Sequence, residues 1–257
     1  MEATTRNHFF SDMGVMLGRS MRHIFRSMDT IITVTLTPIF MMLLFVYVFG
    51  GALGAGTGNY VNYMLPGILL IAIASGIAYV ALRLFTDVKS GLFERFHSMP
   101  ISGAAALWGH VLTSLVSNAI SLLVIFLVAL LMGFRSSAGL LNWLAVAGIL
   151  ALFTLSLTWV AAIAGLKAQS VDGAGAFSYP LIFLPFISSA FVPTGSMPAG
   201  VRWFAENQPV TAIVDTIRAL LSEQPVGNEI WVALAWCLGI LVVAYIFAMR
   251  AYRRTAA

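Results

Sequence analysis

The sequence predicts an all-α integral membrane protein with six transmembrane helices, and three observations carry that prediction. Of its 257 residues, 60% are hydrophobic and 9% are charged. A soluble domain is about half apolar and about a quarter charged, so this much apolar surface belongs in a bilayer rather than in an aqueous core. The mean hydropathy of +0.94 agrees. Six stretches approach the ~20 apolar residues that a spanning helix needs, and none of them contains Asp, Glu, Lys or Arg. The basic residues fall outside those stretches and mostly on one side.

The first element, residues 11–29, is too polar to span. On a helical wheel Met13, Met16, Leu17, Met21, Ile24, Phe25 and Met28 share one side, with Arg19, Arg22 and Arg26 on the other. That pattern reads as an amphipathic helix lying in the inner membrane interface; packing on a partner protein is the alternative. The spans follow at 31–49, 63–82, 108–132, 143–166, 176–193 and 230–249. The fifth is short and carries Pro180 and Pro185. The first is no signal peptide, because its apolar core is long and thirty residues precede it.

Orientation follows from Lys and Arg. With both termini cytoplasmic, eleven basic residues lie inside and three outside; the opposite topology reverses the ratio. The net charge of +4 is thus read as loop retention rather than as a nucleic-acid surface. Cys237 is the one cysteine and sits in an apolar run, so no disulfide framework or Cys/His metal cluster is expected.

Two connections stand out. Between spans two and three, residues 87–99 can form a short cytoplasmic helix carrying Leu92, Phe93, Glu94, Arg95 and Phe96. Pro100 disfavours helix at Met99, and Ser102 is a cap for the next helix. An ordinary positive-inside turn is the alternative. Before the last span, residues 196–223 form the outer connection. Pro209 fits a helix start, and Ala212, Ile213, Thr216, Ile217, Leu220 and Leu221 make an apolar stripe. This segment is expected to fold back into the outer leaflet as short helices, since backbone at that depth must be hydrogen-bonded; a freely exposed loop is the alternative.

Missing chemistry narrows the function. No stretch matches the phosphate-binding pattern G-x-x-x-x-G-K-[ST], and the only lysines are Lys89 and Lys167. The spans lack the acidic and basic groups that ion-coupled transporters use. His110 is the one ionisable candidate, and Asn118, Ser121, Thr154, Ser156 and Thr158 are residues of the kind that stitch helices together. A transporter built this way needs an engine supplied from the cytoplasm.

Three stretches carry a resemblance. "GLFERFHSMPIS" (91–102) resembles the coupling-helix motif of type-2 ABC exporter permeases, "NQPVTAIVDTIRALL" (207–221) resembles their outer N/Q-P-x-T…D/E-x-x-R stretch, and "AFVPTGSMPAGVRWFAENQP" (190–209) resembles the link after their fifth span. The chain is most similar to the daunorubicin/doxorubicin-resistance group. It departs at Gly103, where the family often has Arg or Lys, and at "FHSM".

The resemblance implies a six-span half-transporter in a bacterial cytoplasmic membrane. It would pair with a second permease chain, identical or not, and be driven by two cytosolic ATPase subunits. ATP and Mg would be bound by those subunits, with no cofactor in this chain. Its partners would be those chains and membrane lipids, with no nucleic acid. Leu92, Phe93, Glu94, Arg95, Phe96, Met99 and Pro100 would dock in the ATPase. Pro198, Asn207, Pro209, Thr211, Asp215 and Arg218 would belong to re-entrant outer helices. The cargo, hydrophobic or amphipathic and drug-like or lipid-like, would move outward past spans two and five. Ser75, Tyr79, Tyr179, Phe183 and Phe186 are the candidate lining; lipid-facing or packing roles are the alternative for the aromatics. The competing readings of the whole chain are an ion-coupled secondary transporter and a non-transporting membrane scaffold.

Overall fold

The computed structural model describes residues 28–53, 59–91 and 103–255. Among these residues there are helices and turns and no strand. Residues 11–27, with Arg19, Arg22 and Arg26, lie outside them, as do residues 92–102 with the expected ATPase contacts.

Helix α1 runs Met28–Leu43 with Pro38 inside it. It opens into a wider turn at Leu44–Val48, where Phe49 N–H reaches back five residues to the Leu44 carbonyl at 3.2 Å. A single turn, α2, follows at Gly50–Leu53.

α3, Tyr60–Lys89, is the central helix. Asn59 caps it by accepting from the Val61 N–H at 3.1 Å. Its 30 residues reach about 45 Å, against ~30 Å of hydrocarbon. Arg83 and Asp87–Lys89, read from hydropathy as loop and coupling helix, are therefore the last turns of α3. The helix stops at Ser90, whose N–H bonds the Thr86 carbonyl at 2.9 Å, and at Gly91 with φ 67°.

α4 covers Gly103–Leu131 and α5 Leu140–Lys167. The fifth apolar segment begins at Val171, earlier than hydropathy indicates, and is broken: α6 Val171–Ala176, α7 Ser178–Phe183, then a tight 3₁₀ turn Leu184–Ile187. Pro180 and Pro185 supply no N–H for a continuous ladder. Residues 188–193 are not helical at all. The outer connection forms α8, Ala199–Asn207, and α9, Pro209–Leu221, with Pro209 in the first turn as read from the sequence. α10, Glu229–Thr255, closes the chain.

Among the described residues four helices are long and apolar enough to cross a membrane: α3, α5, the 107–131 part of α4 and the 229–252 part of α10. The apolar segments Ile32–Val48 and Val171–Ile187 are shorter. α5 packs along both α3 and α10. Gly165 makes the α3 contact possible, because a Cβ there would sit 2.6 Å from the Ala81 carbonyl oxygen. The larger core surrounds α3 and includes Leu65, Ile68, Ile71, Phe153, Ile213 and Ile217. A second core, with Leu84, Trp159, Ala248 and Tyr252, closes the other end.

Three connections meet at one end of the bundle. Asn62 donates to the Arg135 carbonyl at 2.6 Å and accepts from the Arg135 N–H at 3.1 Å. Ser136 donates to the Leu221 carbonyl at 2.6 Å, and Glu223 accepts from the Gly139 N–H at 3.1 Å. The start of α3, the α4–α5 turn and the end of α9 are thus on the same side, as the charge count requires of the three segments it places outside.

Candidate functional site

At the end of the bundle opposite this cluster, α3 and α4 flank residues 92–102. His110 Nε2 lies 3.0 Å from Asp87 Oδ2 and ties the last turn of α3 to α4. Ser90 Oγ donates to the Asp87 carbonyl at 3.0 Å, and the Lys89 ammonium sits 5.9 Å from the Phe85 ring centre. Just inside, Trp108 meets Trp159 edge-on at 5.2 Å and Trp159 meets Tyr245 edge-on at 4.8 Å, joining α4, α5 and α10. His110, a lone ionisable residue in the sequence, is therefore one half of a helix clamp.

At the other end the outer motif converges on Arg218. Its Nη1 donates to Asp215 Oδ1 at 2.6 Å. Its Nε and Nη2 donate to the Tyr63 carbonyl at 3.2 and 3.1 Å, and Nη2 also to the Ser189 carbonyl at 2.8 Å. The guanidinium lies 3.9 Å from the Tyr63 ring centre, a cation–π contact. Ser189 Oγ closes the network on Asp215 Oδ1 at 2.6 Å. Thr211 Oγ1 accepts from the Ser189 N–H at 3.4 Å, a marginal distance. Gln208 donates to the Ile187 carbonyl at 2.6 Å. One residue of α9 thus latches the outer helices to the start of α3 and to the end of the fifth apolar segment.

The remaining outer residues shape the α8 hairpin. Pro198 precedes its first turn, and Asn207 Nδ2 donates to the Trp203 carbonyl at 2.8 Å. Arg202 donates to the Thr194 and Met197 carbonyls, each at 3.2 Å, and to the Gly195 carbonyl. Of the latch, Thr211, Asp215 and Arg218 are legible in the sequence as positions on one helix. Ser189 and Tyr63 are not: their carbonyls, which accept from Arg218, carry no residue signature, and the Tyr63 ring and Ser189 hydroxyl reach the latch from segments distant in sequence.

The candidate cargo-lining residues do not form one pocket. Phe186 belongs to an aromatic stack with Phe191 at 5.0 Å, and Phe191 with Phe45 of α1 at 4.6 Å. Tyr179 and Phe183, one turn apart, are 63% and 61% exposed. Ser75 is half-buried on α3. Tyr79 lines a separate small cavity with α4 that includes none of the fifth-segment aromatics.

The sequence profile of the ABC-2 type transporter family matches residues 12–221. The chain is 28% identical over 227 residues, 87% of its own length and 79% of the relative's, to the daunorubicin resistance ABC transporter permease protein DrrB1 of Streptomyces coeruleorubidus. It is also 28% identical over 235 residues, 90% of this chain and 84% of the other, to the probable doxorubicin resistance ABC transporter permease protein DrrC of Mycobacterium tuberculosis.

Proposed function

The chain belongs to the ABC-2 type transporter family, the membrane-spanning permease subunits of ABC transporters, which lack an ATP site of their own, and from that premise we propose that it exports a hydrophobic or amphipathic molecule outward across a bacterial cytoplasmic membrane. Its relatives, named as daunorubicin and doxorubicin resistance permeases, favour a drug-like cargo; a lipid-like one has the same chemistry. Two cytosolic ATPase subunits, binding ATP and Mg, power it, and a second permease chain completes the path.

In this reading the chain crosses the membrane six times with both termini inside, the two shorter apolar segments serving as the first and fifth spans. α8 and α9 are the re-entrant outer helices. Residues 11–29 lie in the inner interface. Residues 92–102, with Leu92, Phe93, Glu94, Arg95, Phe96, Met99 and Pro100, are the handle that the ATPase grips.

The observation that carries this proposal is the continuity of α3. Its last turn, clamped to α4 by Asp87–His110, abuts the handle. Its first turn is held by Arg218 through the Tyr63 carbonyl. An unbroken helix of about 45 Å transmits a push at one end to the latch at the other.

The test is the double substitution Glu94→Ala with Arg95→Ala, made in cells that hold the partner ATPase. It is expected to insert into the membrane normally, lose the ATPase on purification and abolish export. Unchanged export with the ATPase still bound would overturn the handle assignment.

A further inference from the structure

α4 carries a polar stripe at helical spacing: His110, Thr113, Ser114, Ser117, Asn118 and Ser121. It runs about 16 Å along the helix and faces α1 and α3 across a small cavity of about 40 Å³ that is open at its edge. By the space one buried water occupies, that is room for roughly three waters, or for one compact polar group.

Most of the stripe's hydrogen bonds stay within the bundle. Ser114 and Thr158 share one at 3.0 Å, and Asn118 Nδ2 donates to the Ser114 carbonyl at 3.0 Å. Two atoms are left over. Asn118 Oδ1 and Thr113 Oγ1 have no hydrogen-bond partner among the described residues, on side chains of residues only 3% and 5% exposed. Leaving such buried groups unmet costs stability, so the cavity is suited to something polar. Gly76 of α3 makes room for the Asn118 amide at the cavity wall: a Cβ there would stand 2.4 Å from Asn118 Oδ1.

The charge at the mouth indicates what fills it. Arg83 of α3 lines the cavity with Tyr79. Among the described residues the close contacts of basic with acidic side chains are His110–Asp87 and Arg218–Asp215, and Arg83 is in neither. Asp87, one turn along α3, attracts Arg83 through space but has its direct contact with His110, at 3.0 Å. Arg83 lies about 9 Å from the end of α3. That helix overshoots the hydrocarbon by about 15 Å in all, about 7 Å at each end if shared equally, so Arg83 stands near the hydrocarbon edge and its long side chain reaches headgroup level. Basic pockets between membrane helices on the cytoplasmic side accept anionic headgroups. Arg in particular makes bidentate bonds to phosphate and carboxylate oxygens.

We propose that this cavity is a binding site for the anionic headgroup, phosphate or carboxylate, of an amphiphile in the inner leaflet. Arg83 holds the charge, the hydroxyls of Tyr79, Thr113 and Ser117 donate to its oxygens, and Asn118 Oδ1 meets a hydroxyl or water deeper in. Calling the leaflet inner rests on the orientation proposed above; the binding itself does not need the ATPase.

The test uses the purified full chain in mild detergent without ATPase, so its failure is separable from a failure of the transport reading. Dihexanoyl phosphatidic acid is titrated and bound lipid is counted by native mass spectrometry, with dihexanoyl phosphatidylcholine and inorganic phosphate as parallel arms. The expected result is binding of phosphatidic acid at least about tenfold tighter than of either comparator. Arg83→Gln and the cavity-filling Ser117→Leu, which leaves every charge in place, are each expected to weaken it by about tenfold or more, the scale of a lost charge-assisted bond. Equal binding by both folded variants overturns the site. Equal binding of phosphatidylcholine overturns its anion preference. Displacement by equimolar inorganic phosphate overturns the amphiphile in favour of a free anion.

Discussion

Arg218 illustrates how much one side chain holds at the residue scale. It satisfies the Asp215 carboxylate and two backbone carbonyls on different segments, and it covers an aromatic face. Arg218→Ala leaves Asp215 partly buried without its cation. The pair is between one fifth and one third exposed, so solvent recovers part of the loss, and about 2–3 kcal/mol is the expected cost. Arg218→Lys keeps the charge but not the fork that reaches Tyr63 and Ser189 together, so it restores only part. Thermal unfolding in detergent should rank wild type above Lys and Lys above Ala; an unchanged midpoint for Ala would show that the latch carries no stability. The sequence places Asp215 and Arg218 one turn apart on a helix, and that much was legible. Their carbonyl partners were not, because any residue at positions 63 and 189 presents the same backbone oxygen.

At the element scale the central contact is between α3 and α5, and Gly165 sets its spacing. A methyl there meets the Ala81 carbonyl oxygen at 2.6 Å, and backbone cannot swing aside as a side chain can. Gly165→Ala is therefore expected to lose about 1–3 kcal/mol by overpacking, even though Ala is the better helix former by up to ~1 kcal/mol. Gly148, on the same helix, has nothing within 4 Å of its would-be Cβ. Gly148→Ala should thus leave the melting point unchanged or raise it, and the two substitutions should differ in sign. Hydropathy located all four long helices, and the helices themselves run past the apolar stretches it marks. It closed the second span at Leu82, whereas α3 continues to Lys89, because helix termination is set by the Ser90 and Gly91 geometry rather than by the loss of apolar residues. It also read 176–193 as one span. The prolines that interrupt it were visible in the sequence, but the turns they produce depend on packing against α3.

At the scale of the whole molecule the irregular backbone has a direction. The wide turn Leu44–Val48 and the 3₁₀ turn Leu184–Ile187 belong to the two apolar segments that are at most 17 residues long. At that length they cover about 26 Å, less than the ~30 Å of hydrocarbon. Non-helical backbone at membrane depth is tolerated where protein or a water-lined path covers it, not against lipid. The outward faces of these segments carry Phe40, Tyr47, Tyr179 and Phe183, whereas the exposed face of α4 is a plain aliphatic row of Leu123, Leu127 and Leu131. The aromatic side is therefore expected to face the second permease chain and the cargo path, and the aliphatic side the lipid. The buried Cys237 is the one native cysteine, so introduced cysteines read cleanly. Phe183→Cys in native membranes should give a disulfide-linked dimer under mild oxidation if the second chain is a copy of this one. Leu131→Cys, at an 88% exposed position, should stay monomeric. Cross-linking through Leu131→Cys but not Phe183→Cys would place the partner on the opposite side and refute the assignment.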